Sequence, residues 1–101
     1  MKNILLILLT IFCIGQKTFA YDCAVGGIAY NLNYNTASVT YFSMEYNHGY
    51  YFREVKIPSH ITYDGTTYTV NTIAENAFIN CTKLTSITIP STVTYIHGEA
   101  F

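Results

Sequence analysis

The apolar positions in the second half of the chain recur at a fixed spacing. When the sequence is shifted by 23 positions, Thr69, Val70, Ile73, Ala77 and Phe78 fall on Thr92, Val93, Ile96, Ala100 and Phe101. A period of roughly 20–29 residues with apolar residues at fixed places is typical of a solenoid, in which each coil contributes a short strand and a turn. One coil cannot bury its apolar side alone, so we expect equivalent residues to stack.

One full unit of this pattern reads V-x-x-I-x-x-x-A-F-x-x-C-x-x-L-x-x-I-x-I-P. Phe78 is expected to fill the interior of its coil. Residues 75–79 offer at most one helical or 3₁₀ turn on the side of the coil away from the strand. The predicted core of the repeats consists of Val70, Ile73, Ala77, Phe78, Cys81, Leu84, Ile87, Ile89, Val93, Ile96 and Phe101.

The same unit begins once more upstream. Residues 55–61 (V-K-I-P-S-H-I) align with residues 87–93 (I-T-I-P-S-T-V) at a spacing of 32, nine more than the period. The excess, residues 62–70, contains Asp64-Gly65 between β-forming residues. This dipeptide is typical of a hairpin turn, because glycine readily adopts positive φ. We therefore predict a β-hairpin inserted where the solenoid begins.

Residues 21–54 carry an antiparallel strand pattern instead of the repeat. Gly26-Gly27 separates two apolar runs, as in a two-residue hairpin, and residues 38–44 and 50–57 predict further strands. A terminal coil needs a distinct element to cover it. We therefore predict a mainly β fold, with an N-terminal antiparallel meander that caps about one and a half solenoid coils in residues 55–101.

Residues 1–20 are typical of a secretory signal peptide. A short basic head precedes an apolar run at residues 4–14, and Thr18-Phe19-Ala20 offers small residues to a signal peptidase. The alternative is an N-terminal membrane anchor, although a span needs about 20 apolar residues. Cleavage after Ala20 predicts a secreted or cell-surface protein with no membrane span after cleavage.

Charge and candidate chemistry narrow the function. The signal region contains Lys2 and Lys17, so the rest of the chain has three cations against six acids and a net charge of −3. This balance disfavours nucleic-acid binding, which requires clustered Lys and Arg. His48, His60 and His97 have no metal-ligand spacing, the acidic residues are scattered, and no nucleophile or phosphate-binding motif occurs. The sequence predicts no enzyme activity, no cofactor and no metal.

Two cysteines follow the signal region, Cys23 and Cys81. A disulfide is chemically allowed in an exported protein. However, Cys81 occupies a recurring apolar position of the unit, where cysteine behaves as a small buried hydrophobe. We therefore favour two inert thiols and keep a Cys23–Cys81 bridge as the alternative.

The repeat resembles a known family. Residues 73–78 (I-A-E-N-A-F) and 80–90 (N-C-T-K-L-T-S-I-T-I-P) resemble the BspA-like leucine-rich repeats of secreted and surface proteins from host-associated bacteria and some parasitic protists. The resemblance implies adhesion to extracellular or host proteins, or to another cell surface. It also implies many coils, so we expect a chain truncated in mid-unit at Phe101 whose open last coil could self-associate.

Two groups of residues are candidates for the binding surface. Lys56 and Thr88 are expected to point outward from equivalent strands, with Thr85 and Ser86 beside them. The aromatic residues between 41 and 52, with Tyr50 and Tyr51 foremost, either stack on sugars or pack within the cap. The alternatives to protein recognition are thus a carbohydrate-binding β-module and the accessory N-terminal region of a larger secreted enzyme.

Overall fold

The computed structural model describes residues 21–42, 51 and 53–101, and this part of the chain is built from strands and turns with no helix. It therefore holds no helix that could cross a membrane. The predicted mainly β fold class is confirmed. The predicted signal peptide, residues 1–20, lies outside the described residues. The strands are β1 (Cys23–Val25), β2 (Ile28–Asn33), β3 (Thr36–Thr40), β4 (Arg53–Lys56), β5 (His60–Tyr63), β6 (Thr66–Ile73), β7 (Leu84–Thr88) and β8 (Tyr95–Ile96).

Strands β1, β2 and β3 form the predicted antiparallel meander. Gly26 and Gly27 make the first turn with φ values of 59° and 83°. Two successive positive φ values match the right-handed twist of a hairpin, and glycine adopts them without a steric penalty. Strand β3 begins at Thr36 and ends at Thr40, whereas the sequence predicts a strand over residues 38–44; residues 43 and 44 lie outside the described residues.

Strands β5 (His60–Tyr63) and β6 (Thr66–Ile73) form an antiparallel hairpin, whereas the sequence predicts the inserted hairpin over residues 62–70. Asp64 and Gly65 turn the chain with φ values of 51° and 82°. Beside this turn, Thr62 and Thr67 lie opposite each other, and their side-chain oxygens are 3.1 Å apart. The hairpin is thus held by its turn and by a cross-strand polar contact.

Strand β6 is the centre of the main sheet, whose order is β1-β2-β3-β6-β5 with β8 also paired to β6. On one side β6 pairs in parallel with β3. On the other side it pairs antiparallel with β5 along its first half and in parallel with β8 along its second half. Strands β1 and β5 also touch, so this curved sheet is nearly closed.

A second, two-stranded sheet joins β4 and β7 in parallel. Val55 lies opposite Ile87 and Lys56 opposite Thr88, so the predicted alignment at a spacing of 32 is confirmed. The pairing continues past the strand end, because the Ile57 N–H donates to the Thr88 carbonyl at 3.0 Å. The described part of the chain therefore has two ladders of stacked strands, one through β6 and one through β4.

At residues 75–79, where the sequence predicts one helical or 3₁₀ turn, the chain forms turns in which an N–H donates to the carbonyl three residues earlier, and no helix. The Ala77 N–H donates to the Ala74 carbonyl at 3.2 Å, and the Ile79 N–H donates to the Asn76 carbonyl at 3.3 Å. Asn76 and Asn80 have φ values of 65° and 59°. A residue with positive φ interrupts a right-handed helix, and asparagine tolerates this conformation better than most residues.

One buried cluster joins the meander to the coils. Its largest fully buried side chains come from both parts of the chain: Tyr30, Val39, Val70 and Ile73. Val39 of β3 lies opposite Ile73 of β6, so the meander contributes its own strand to the stacked ladder. The two parts thus share a single core.

Candidate interaction surface

The repeat stacks as its spacing predicts. Ile73 of β6 lies opposite Ile96 of β8, the equivalent position in the next copy of the unit. The Asn76 N–H donates to the Glu99 carbonyl at 2.9 Å, which extends the ladder beyond the strands. The rings of Phe78 and Phe101 are stacked, with centroids 5.3 Å apart and planes 13° apart. The predicted stacking of these equivalent positions is confirmed.

The predicted repeat core is buried only in part. Val70, Ile73, Ala77 and Phe78 are buried, and four further members pack against the core while partly exposed: Cys81, Leu84, Ile87 and Val93. The prediction is wrong for Ile89, Ile96 and Phe101, which are exposed. Among the described residues no further coil lies on the far side of these three, so solvent reaches them.

Four predicted surface residues lie together on the β4–β7 sheet. Lys56 and Thr88 are exposed and opposite each other, and Thr85 and Ser86 are exposed on the same strand as Thr88. The Thr85 hydroxyl donates to the Arg53 carbonyl at 2.9 Å, across the register shift at the start of the sheet. This arrangement fixes the position of Thr85 relative to the neighbouring strand.

Glu54 belongs to the same surface, although the sequence interpretation missed it. It is exposed and lies opposite Ser86. Because side chains alternate along a strand, Glu54 and Lys56 point to the same face. This alternation, counted back from Lys56, was the signal that could have identified Glu54. We name Glu54, Lys56, Ser86 and Thr88 the outer face of the β4–β7 sheet.

Tyr51 is not a surface residue, so its assignment to the binding surface is wrong. Its side chain is only 2% exposed. Its hydroxyl accepts a hydrogen bond from the Ala29 N–H at 2.9 Å and donates one to the Thr40 carbonyl at 2.8 Å. Ala29 and Thr40 are opposite each other in β2 and β3, so the hydroxyl bridges the two strands. Burial raises the pKa of Tyr51.

The ring of Tyr51 connects the meander to the coils. It packs against Phe42 at a centroid distance of 5.6 Å and against Phe78 at 4.9 Å. Tyr50, the other aromatic candidate for the surface, lies outside the described residues. The two buried contacts favour packing over an exposed sugar-binding row for the described aromatic residues of this segment.

In the described part of the chain, Cys23 is buried and Cys81 is partly buried. Cys23 and Cys81 are not joined by a disulfide. Burial raises the pKa of both thiols, and the charge of Asp22 raises that of Cys23 further. A thiol with a raised pKa is a poor nucleophile at neutral pH. Among the described residues, no three histidine, cysteine or acidic side chains are grouped so that they could hold a metal ion.

A cavity of about 560 Å³ lies between the β1–β2 turn and strand β4. One wall is the glycine turn, and the other is β4 itself. The described residues that line the cavity are Gly26, Gly27, Ile28, Tyr51, Glu54, Val55 and Lys56. The cavity thus adjoins the outer face at Glu54 and Lys56.

A comparison with known protein families identifies the same repeat that the sequence and the stacked strands show. Residues 49–101, just over half of the chain, match the BspA type leucine rich repeat region, a family described with six copies of the repeat. The chain therefore belongs to this family of leucine-rich-repeat proteins. No curated protein sequence matches the chain.

Similar solved structures include proteins from Bacteroides and Faecalibacterium. A leucine-rich repeat protein from Bacteroides ovatus is 36% identical over 80% of this chain and 21% of its own, with a TM-score of 0.68. A leucine rich cell surface protein from Faecalibacterium prausnitzii is 32% identical over 78% of this chain and 20% of its own, with a TM-score of 0.63. The chain thus spans about a fifth of the length of either protein.

A third similar structure supports the fold alone. It is a leucine-rich repeat protein from Bacteroides capillosus, 19% identical over 84% of this chain and 75% of its own, with a TM-score of 0.53.

Proposed function

We propose that this chain is a non-enzymatic recognition module of a secreted or cell-surface protein and that it binds other proteins through the outer face of the β4–β7 sheet. Membership of a leucine-rich-repeat family supports this role, because solenoids bind through equivalent positions on successive coils. The observation that carries the proposal is the exposed pairing of Lys56 with Thr88 and of Glu54 with Ser86.

The chemistry of the outer face favours an extracellular protein or another cell surface as the partner. One acid, one base and two short hydroxyl side chains alternate over two strands. Such a face offers hydrogen bonds and opposite charges without a large apolar anchor, which resembles the polar rim of an interface more than its core. We expect weak binding by this portion alone, with affinity added by further coils through multivalency.

Binding to a panel of extracellular-matrix and plasma proteins tests this function. The full chain would be immobilised and each protein passed over it. The double substitution Ser86→Arg with Thr88→Arg should weaken any binding at least about tenfold, because two bulky cations would cover the outer face. Thr62→Arg is the matched control, since Thr62 is exposed on strand β5, away from this face.

Two results would contradict the proposal. One is binding that withstands the double substitution, and the other is binding that Thr62→Arg weakens as much. Failure of the chain to bind any protein of the panel would also count against it.

A secreted or surface location is part of the proposal. It is supported by the signal-like pattern of residues 1–20 and by the similarity to the cell surface protein of Faecalibacterium prausnitzii. N-terminal sequencing of the exported protein should give Tyr21 as the first residue. A protein that retains residues 1–20, or that stays inside the cell, would contradict this location.

A further inference from the structure

We propose that an extended peptide segment of a partner protein binds along the free edge of β4 as an added β-strand, seated in the cavity beside the β1–β2 turn. This inference rests on the proposed function, because it states how the module would hold one part of a protein partner. It concerns the edge of the strand and its backbone, whereas the outer face consists of side chains.

Strand β4 pairs with β7 along one edge, and along its other edge it pairs with no strand of the described residues. The Ile57 N–H donates to the Thr88 carbonyl at 3.0 Å, and Val55 lies opposite Ile87 in the parallel ladder. Alternate residues of a strand direct their backbone groups to the same side. Val55 and Ile57 therefore face β7, and the N–H and C=O groups of Glu54 and Lys56 point the other way.

No strand occupies that second edge within the described part of the chain, where β4 pairs only with β7. The edge offers two backbone donors and two acceptors over a strand of four residues, a length of about 13 Å. An open strand edge is a template for another extended chain, and peptide recognition by strand addition uses such an edge.

The cavity lies on this open side of β4 and gives the added strand room. Its volume of about 560 Å³ falls within the range of roughly 300–1,000 Å³ that is usual for ligand pockets. Gly26 and Gly27 form the opposite wall without side chains, and a Cβ at either position would meet no atom within 4 Å. Ile28 and Val55 add apolar surface to the lining.

The charges on β4 indicate which peptides fit best. Glu54 and Lys56 are both exposed and lie on one face, at alternate positions of the strand. Opposite charges that face each other on neighbouring strands are favourable. A peptide with a cation and a carboxylate at alternate positions would place each beside its counterpart. The backbone bonds would tolerate many other sequences, and this charge pair would rank them.

A matched pair of substitutions tests the edge. Lys56→Pro removes the N–H that points into the cavity, yet it removes no hydrogen bond to β7, because that N–H faces away from the ladder. Lys56→Ala removes the same side chain and keeps the N–H. The probe is a random octapeptide library panned against the full chain, followed by fluorescence anisotropy of the enriched peptides with each variant.

Both variants lack the lysine side chain, so we expect each to lose the charge contact, and we expect the Lys56→Pro variant to bind the enriched peptides at least about tenfold more weakly than the Lys56→Ala variant. Circular dichroism should show the same fold for both variants. Amide hydrogen exchange on the unsubstituted chain gives a second readout. The amides of Glu54 and Lys56 should exchange rapidly without peptide and slowly with it, whereas Val55 should be protected in both states.

Four results would overturn the inference: no peptide enriched, equal binding by the Lys56→Pro and Lys56→Ala variants, Glu54 and Lys56 amides already protected in the free chain, or no added protection with peptide. The proposed binding through the outer face can be tested separately from strand addition. Peptides weakened by Ser86→Arg with Thr88→Arg, but not by Lys56→Pro, would support the proposed function and exclude strand addition.

Discussion

Equivalent residues of the two stacked coils differ in how far they are buried. Ile73 is fully buried, whereas its equivalent Ile96 is 44% exposed; Phe78 is 3% exposed and Phe101 is 61% exposed. The first coil is covered on one side by the meander through β3 and on the other by the second coil. Within the described residues, the second coil is covered on one side only. The contribution of a repeat position to stability therefore depends on its neighbours as well as on its own side chain.

The phenylalanine pair gives the largest expected difference. Phe78→Ala should lower the free energy of unfolding by about 3–5 kcal/mol, because it removes a buried ring and leaves a cavity. Phe101→Ala should cost less than about 1.5 kcal/mol, since much of that ring already contacts solvent. Urea denaturation followed by circular dichroism measures both. Equal costs would mean that the first coil is no better covered than the second.

Two buried tyrosines, Tyr51 and Tyr30, differ in the hydrogen bonds of their hydroxyl groups. Tyr51→Phe should cost about 1–3 kcal/mol, because the Ala29 N–H and the Thr40 carbonyl lose their shared partner. Tyr30→Phe is the control, since the Tyr30 hydroxyl is buried with no hydrogen-bond partner among the described residues. We expect that change to be close to neutral in the same denaturation experiment. A neutral Tyr51→Phe would show that the meander is held to the coils by packing alone.

Substitution of isoleucine by valine tests the same difference in burial between the two coils and removes only one methylene group. Ile73→Val should cost about 0.5–1.5 kcal/mol, as is usual for a methylene removed from a packed core. Ile96→Val should cost less than about 0.5 kcal/mol, because Ile96 is partly exposed and sits in the shorter strand β8. Thermal unfolding midpoints resolve the difference. A larger cost at Ile96 than at Ile73 would contradict the conclusion that the first coil is better covered than the second.

High pH should lower the free energy of unfolding through the two buried tyrosines, Tyr30 and Tyr51. Burial raises the pKa of Tyr30 to about 12 and also raises that of Tyr51, whereas an unfolded tyrosine titrates near 10. Because the folded-state pKa is the higher one, the stabilisation is complete below about pH 10 and is lost as the pH rises toward 12. At pH 10.5 the loss from Tyr30 should be roughly 1 kcal/mol.

Urea denaturation at pH 8 and pH 10.5 measures this loss. The Tyr30→Phe variant should lose less stability over the interval than the original chain, since it lacks one of the two groups. An unchanged pH dependence in that variant would contradict the role of Tyr30.

Much of the fold could be predicted from the sequence because the determining signals are local or periodic. The spacing of 23 placed Ile73 over Ile96, and the Ile-Pro alignment at 32 paired Val55 with Ile87. Asp64-Gly65 marked its hairpin through the positive φ that such a turn requires. Each of these signals depends on a short motif or on copies of one unit.

The sequence does not predict the role of β3. Thr36–Thr40 pairs in parallel with β6 as the strand that precedes the first repeat, but its register shifts between Ala37 and Ser38. The partners are 33 residues apart before the shift (Thr36 and Thr69) and 34 apart after it (Val39 and Ile73), and neither separation is the period of 23, so the repeat pattern does not include β3. The sequence also predicts Lys56 and Thr88 at the surface but not the burial of Tyr51, because aromatic residues with a hydroxyl suit both environments.

The position of β6 between three strands also has a consequence for the order of folding. Its pairing with β5 closes a short turn at Asp64-Gly65, whereas its pairing with β3 joins segments that are far apart in the sequence. Hairpins of this kind form in about 1–10 μs, and long loops close at a higher entropic cost. We expect the β5–β6 hairpin to be the nucleus onto which β3 and then the later coil assemble. Substitutions near Asp64 should therefore slow refolding more than those near Ile96.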